Sequence, residues 1–199
     1  MTDEKVKELH LDAFLNELSD DFEIHLFTTP RGEEAKSFEV YKQLVEFTAR
    51  KGLDRKSLLI ALGGGAVGDL TGFAAATFMR GIEFIQVPTT ILAHDSSVGG
   101  KTGINLQTGK NLIGSFHHPE AVLDHLPFLS SLSKSEKRAG FAEIIKEAMI
   151  HPQSFLPELM NQFQSVSDLN GEQLIEPLIR GIETKRLYVE QDEKEMGVR

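Results

Sequence analysis

The chain has no cysteine. That excludes disulfides and every thiolate metal site, and it fits a protein held in a reducing compartment such as the cytoplasm. Positive charge is in short supply: 21 Lys and Arg stand against 30 Asp and Glu, giving a net charge of −9 and a pI near 5.3. With no basic stripe, nucleic acid and anionic membranes are poor partners. No apolar run approaches the ~20 residues of a membrane span. The opening MTDEKVKELH also lacks the apolar core of a signal peptide. A complete P-loop, G-x-x-x-x-G-K-[ST], is missing too.

The most informative stretch covers residues 57–114. A short apolar run, Leu58 to Leu62, breaks into Gly63, Gly64 and Gly65 and then into small residues without proline, which reads as strand, tight turn and helix. Glycines let a polyanion approach the backbone, and a helix start offers unpaired N–H groups and a positive dipole end. We read this corner as a phosphate or pyrophosphate seat rather than as the ordinary dinucleotide fingerprint; a plain tight turn is the competing reading. A second strand-like run, 83–87, ends at Pro88, after which Thr89 and Thr90 supply hydroxyls. Asp95, Lys101, Asn105, Lys110 and Asn111 then follow among glycines and serines, a pattern that reads as a polar loop and suits an anionic substrate.

Elsewhere the spacing predicts a helix over 9–18, a strand over 22–27, a loop over 28–31 and an amphipathic helix over 37–51 closed by Gly52. Loop and short strand fill 120–132. Ser133 with Glu136 makes a capping box, opening helices predicted over 136–150, 153–164 and 171–191. The β-α-β order implies a parallel sheet with ligands at the strand C-terminal ends, and the change of pattern puts a domain boundary near Leu132. Glu143 and Lys146 share one helix face; a surface ion pair of ~0.2–0.5 kcal/mol is the plainer reading of that spacing.

Taken in series, GGGAVGD, MRG, VPTTILAHDSSVGGKTGIN, GKNLIG and GFAEIIK resemble the 3-dehydroquinate synthase family, from TDEKV at the start to EMGVR at the end. The resemblance implies a Rossmann-like α/β domain over 1–132 that binds NAD on a parallel sheet. An all-α domain that binds metal and substrate follows over 133–199. It also implies that both are incomplete, with strands expected before the TD-x-N-V turn and an L-N-x-G-H-T-x-G-H segment expected after the last residues.

On the same resemblance, NAD contacts fall to Asp3, Glu33, Lys36, Gly64, Gly65, Ala66, Asp69, Thr89, Thr90, Asp95, Lys101, Lys110, Phe128, Ser131 and Leu132, although Lys5 stands where the family has Asn. Glu143 corresponds to one of three ligands of a zinc or cobalt ion, the other two being histidines of that later segment. His94, His117, His118, His125 and His151 do not match it and read as core or surface residues. Lys101, Asn111 and Arg80 would bind a substrate phosphate, Arg80 from a second subunit, which implies a homodimer. Asp95 and Lys146 would meet hydroxyls, Lys185 and Arg199 a carboxylate, and Glu195 the metal and hydroxyls.

The implied reaction turns 3-deoxy-D-arabino-heptulosonate 7-phosphate into 3-dehydroquinate, in the shikimate route to aromatic amino acids. It proceeds by transient oxidation at C5, phosphate elimination, re-reduction and aldol closure. Competing expectations are a related sugar-phosphate cyclase, such as 2-deoxy-scyllo-inosose or valiolone synthase, and a silent NAD-binding fragment.

Overall fold

The computed structural model describes residues 1–18 and 22–198. These form two compact units, Met1–Pro88 with Gly100–Leu123, and Thr89–Gly99 with the residues from Asp124 onward. The division is therefore not a single cut in the chain.

The first unit is built on a parallel sheet. Its elements are β1 (Thr2–Asp3), α1 (Glu4–Asn16), β2 (Thr28–Thr29), α2 (Phe38–Arg50), β3 (Leu58–Gly63), α3 (Gly65–Thr77), β4 (Glu83–Pro88), β5 (Lys101–Leu106), β6 (Gly109–Phe116) and β7 (Ala121–Val122). The five-stranded sheet runs β2-β1-β3-β4-β7 with every pair parallel. The β3-α3-β4 crossover joins neighbouring strands in register, Leu58 beside Glu83 through Gly63 beside Pro88.

Helix α3 carries no polar stripe because it is buried over most of its length, against β3, β4 and β5. Small residues make that fit. A Cβ on Gly72 would lie 2.4 Å from Thr102 Cγ2 and 3.0 Å from the Phe84 ring. Leu70, Phe73, Phe84, Leu44 and Ile104 form the centre of this core.

Two expectations fail here. The strand predicted over 22–27 does not form; the strand is Thr28–Thr29 instead, in the stretch read as loop, and of the predicted residues Phe27 O accepts from Thr2 N at 3.1 Å. The alternation of Phe22, Ile24 and Leu26 gave the signal, but all three are exposed, so no sheet face backs them. The stretch read as a polar loop contains the β5–β6 hairpin, antiparallel from Lys101 beside Phe116 to Leu106 beside Gly109. Its strands are too rich in glycine to show a strand pattern. The glycines are needed because a Cβ on Gly114 would fall 2.3 Å from Thr102 O.

The second unit is helical: α4 (Ile91–Ser96), α5 (Lys134–Ile150), α6 (Leu156–Gln162) and α7 (Ile175–Gln191), preceded and linked by short 3-10 turns. The capping box expected at Ser133 is present, with both of its hydrogen bonds to and from Glu136. Ile91, Ile144, Ala148, Phe155, Leu159 and Leu178 form the core. Gly140 brings α5 onto α4, since a Cβ there would sit 2.4 Å from Ile91 Cβ. No helix among the described residues is long and apolar enough to cross a membrane.

Candidate functional site

In the first unit the candidate residues gather at the start of α3. Gly64 is the N-cap with φ −75°, and offers no side-chain oxygen to the first turn, so the leading N–H groups are left for an external acceptor. The three turn glycines do not adopt positive φ. Their role is close packing: a Cβ on Gly63 would lie 2.8 Å from Val67 Cβ. Gly63, Gly65 and Gly68 do satisfy G-x-G-x-x-G between strand and helix, so the fingerprint set aside on sequence is present.

Lys36, from the 3-10 turn Gly32–Lys36, reaches into this corner with its side chain only 4% exposed. Its Nζ donates to Asp69 Oδ2 at 2.6 Å and to Asn111 Oδ1 at 2.5 Å. The chain of contacts continues along the hairpin: Asn111 N donates to Asn105 Oδ1 at 2.9 Å, and Asn105 Nδ2 to Glu33 Oε2 at 2.8 Å. Lys110 Nζ stands 3.5 Å from the same Glu33 oxygen. The Asn105 hydrogen bond, helped by Lys36 and Lys110, holds the Glu33 carboxyl below its usual value. Burial pushes Asp69 above its usual value although the Lys36 ammonium opposes it. Lys36, expected at NAD, and Asn111, expected at a substrate phosphate, are thus hydrogen-bonded to each other. Lys101 is exposed at the start of β5.

Asp3 caps α1 through one carboxylate oxygen, Oδ1, which accepts from Lys5 N and Val6 N at 2.9 Å each.

In the second unit α4, α5 and α7 bring distant residues into one ion network. Lys146 Nζ lies 2.6 Å from Glu143 Oε2 and 2.9 Å from Glu147 Oε1. Lys185 Nζ donates to Asp95 O at 2.6 Å and Asp95 Oδ2 at 2.8 Å. Burial alone would pull the Lys146 ammonium down, but its hydrogen bonds to Glu143 and Glu147 outweigh that and hold it well above its usual value. Burial raises Glu147 despite the adjacent ammonium. Asp95, Glu143 and Glu147 each present an oxygen within 4.8 Å of the others, an arrangement that could hold a metal ion.

Thr90 caps α4 through its hydroxyl, and Thr89 is buried with an unpartnered Oγ1. Phe128 is buried, Ser131 Oγ donates to Phe128 O at 2.8 Å, and Leu132 packs on the helical core. These residues, with Asp95, belong to the helical unit rather than to the sheet unit. Arg199 lies outside the described residues.

Backbone conformation adds a separate signal. The described non-glycine residues at positive φ are Met79 (50°), Arg80 (72°), Asn111 (56°) and Glu195 (54°). Three of the four are residues that the resemblance placed at a substrate, and backbone strain of this kind concentrates at functional positions.

Sequence reasoning missed Glu147 and passed over His94. Glu147 is 2% exposed and His94 1% exposed. Glu147 shares a face with Glu143 at helical spacing, a signal that was available. Its burial, like that of His94, is set by non-local packing.

A family model described as 3-dehydroquinate synthase N-terminal matches residues 26–139, and one described as 3-dehydroquinate synthase C-terminal matches residues 140–199. A 3-dehydroquinate synthase of Bacillus anthracis (strain CDC 684 / NRRL 3495) is 50% identical over all 199 residues, which cover 55% of that protein. The chain spans about half the length of the curated relatives it matches.

Among solved structures, the valiolone-type cyclase ValA (2-epi-5-epi-valiolone synthase) of Streptomyces hygroscopicus subsp. jinggangensis 5008, with NAD+ and Zn2+ bound, superposes with a TM-score of 0.89. Its identity is 26%, over 98% of this chain and 56% of that one. A 2-deoxy-scyllo-inosose synthase complexed with carbaglucose-6-phosphate, NAD+ and Co2+ gives 0.90 and 28%, over 98% of this chain and 54% of that one. The related cyclases share the fold at lower identity than the dehydroquinate synthases, which makes them the weaker reading.

Proposed function

The chain belongs to the 3-dehydroquinate synthase family, and we propose that it serves the conversion of 3-deoxy-D-arabino-heptulosonate 7-phosphate to 3-dehydroquinate and phosphate. It would act as an NAD- and metal-dependent lyase, cytoplasmic and homodimeric. The observation that carries this reading is the ion network of the helical unit. There Asp95 and Lys185, 90 positions apart, are hydrogen-bonded, and Glu143 pairs with Lys146.

The residues fit both groups. For NAD there is a helix start with a glycine cap, flanked by the buried Lys36–Asp69 pair. For a divalent metal there are carboxylate oxygens of Asp95 and Glu147 that are buried and without partners. When bound, NAD supplies reversible hydride transfer at C5 and the metal supplies polarisation of that hydroxyl.

The chain's own groups do the positioning. The N–H groups at Gly65 and Ala66 would seat the pyrophosphate, with Glu33, Lys36, Asp69, Thr89, Thr90, Lys110, Phe128, Ser131 and Leu132 along the cofactor. Lys101, Asn111 and a partner's Arg80 would hold the substrate phosphate, and Lys185 with Arg199 its carboxylate. Asp95, Lys146 and Glu195 would orient hydroxyls. Fixed cations around a doubly anionic substrate make orientation and electrostatics the main contribution.

Two measurements test this. Calorimetric titration of NAD+ should show saturable binding that is lost in Asp69→Ala, with circular dichroism confirming that the variant folds. Phosphate release from 3-deoxy-D-arabino-heptulosonate 7-phosphate, with NAD+ and Zn2+ present, should depend on Lys146, falling by at least ~100-fold in Lys146→Ala. NAD+ binding without any phosphate release would leave the cofactor assignment standing and refute the reaction.

A further inference from the structure

Asn105, half-buried in β5, ties together residues of the first unit that are distant in sequence. Its Nδ2 donates to Glu33 Oε2 at 2.8 Å, and its Oδ1 accepts from Asn111 N at 2.9 Å. The orientation of the amide follows from its partners, because a carboxylate only accepts and a main-chain N–H only donates. The Asn105 backbone also bridges Ser37, directly after the turn Gly32–Lys36 that carries Glu33 and Lys36.

The hairpin is irregular at this residue. Ile104 pairs with Ile113 and Leu106 with Gly109, so Asn105 alone stands opposite Lys110, Asn111 and Leu112. Extra residues in one strand interrupt the ladder and re-aim the side chains they carry. Asn111 has no place in the ladder register and takes a left-handed φ of 56°, which asparagine tolerates. The Asn105 amide supplies the acceptor for its N–H.

What each neighbour presents follows from these contacts. Lys36 Nζ, which can only donate, occupies Asn111 Oδ1. The amide end of exposed Asn111 that remains for a ligand is Nδ2, a donor, which suits an anion. Glu33 keeps its second carboxylate oxygen for hydroxyl donors, and the Asn105 hydrogen bond favours its ionised form. One amide thus fixes an acceptor on one side and a donor on the other.

We propose that Asn105 is a positioning residue shared by the two ligand seats of this unit, orienting the Glu33 carboxylate toward hydroxyls of NAD+ and the Asn111 amide toward the substrate phosphate. Aspartate at this position would face Glu33 with a second carboxylate, and alanine would remove the partner of both neighbours. The inference deepens the proposed function and rests on it for which ligands Glu33 and Asn111 meet.

The test is a pair of double-mutant cycles in the intact 199-residue chain, with NAD+ binding read by calorimetry and inorganic phosphate binding by phosphorus NMR line broadening. Asn105→Ala should weaken each ligand by about 5–10-fold, the scale of one lost hydrogen bond. In a Glu33→Ala background the same substitution should leave NAD+ affinity unchanged while still weakening phosphate, and in an Asn111→Ala background the reverse. Circular dichroism establishes that each variant folds. If Asn105→Ala does not, Asn105→Asp, which keeps the acceptor for Asn111 N, carries the NAD+ arm, its loss again vanishing with Glu33→Ala. Unchanged affinity for both ligands in Asn105→Ala overturns the proposal, and a loss confined to one ligand refutes the shared role. Losses of equal size with and without Glu33 and Asn111 mark a role in folding alone and also overturn it. Each of these results leaves wild-type binding, and with it the proposed function, standing. A wild type that binds neither ligand refutes that reading together with this inference.

Discussion

Lys36 Nζ stands 2.6 Å from Asp69 Oδ2, with 4% of the lysine side chain and 25% of the aspartate side chain exposed. Removing the ammonium leaves a mostly buried carboxylate without its counter-charge. Lys36→Met, which keeps most of the packing, should cost roughly 3 kcal/mol at neutral pH by urea denaturation. The sign with pH follows from burial raising Asp69, an effect that grows without the lysine. An acid whose folded pKa is raised has its stability intact below the unfolded value and loses it as pH rises through the folded one. The cost of Lys36→Met should therefore shrink towards about pH 4, and a pH-independent cost would contradict this account.

Close packing of α3 and α5 can be probed with a single methyl group. Gly72→Ala puts a carbon 2.4 Å from Thr102 Cγ2, and Gly140→Ala puts one 2.4 Å from Ile91 Cβ. Each should lower stability by about 1–3 kcal/mol, despite the better helix propensity of alanine. A raised urea midpoint for either would show that the neighbouring element moves aside freely.

The α5 capping box is a local and separable contribution. Ser133→Ala removes the acceptor for Glu136 N and should cost ~1 kcal/mol, read as a shift in thermal midpoint. Glu136→Gln, which can still reach the Ser133 N–H, should cost less.

Arg80 is exposed at φ 72°, directly after Met79 at φ 50°. Arg80→Gly relieves a left-handed backbone and should stabilise the chain by about 0.5–1 kcal/mol. If Arg80 holds a substrate phosphate, the same change should weaken phosphate-ester binding at least tenfold, a gain in stability offset by a loss of function. Stabilisation with unchanged binding would remove Arg80 from the site.

Much of this was legible in the residues. The β3-α3-β4 crossover, the Ser133 cap and the helical second half follow from local patterns that bury their apolar faces where the spacing says they should. The β5–β6 hairpin was not legible, because Gly103 and Gly114 are there for close backbone approach and carry no side-chain signal. The unpaired stretch at Phe22, Ile24 and Leu26 shows the reverse error, a strand pattern without a partner face. At the candidate site, the motifs pointed to Asp95, Glu143 and Lys146, and the wider resemblance to Lys185. What they could not give is the third carboxylate, Glu147, or the His94–Asp124 pair behind it, because both depend on how α4, α5 and α7 pack.

The helix α4 is carried on an eleven-residue excursion, Thr89–Gly99, that leaves the sheet unit and returns to it at Gly100. Neither unit is therefore a continuous piece of polypeptide. A shortened gene product ending at Leu132 would retain α4 while deleting α5 and α7, the helices that cover it, and would leave Ile91 and His94 facing solvent. Dividing this protein into independently made halves calls for a loop that bridges Pro88 to Gly100, with the excised segment grafted onto the helical half.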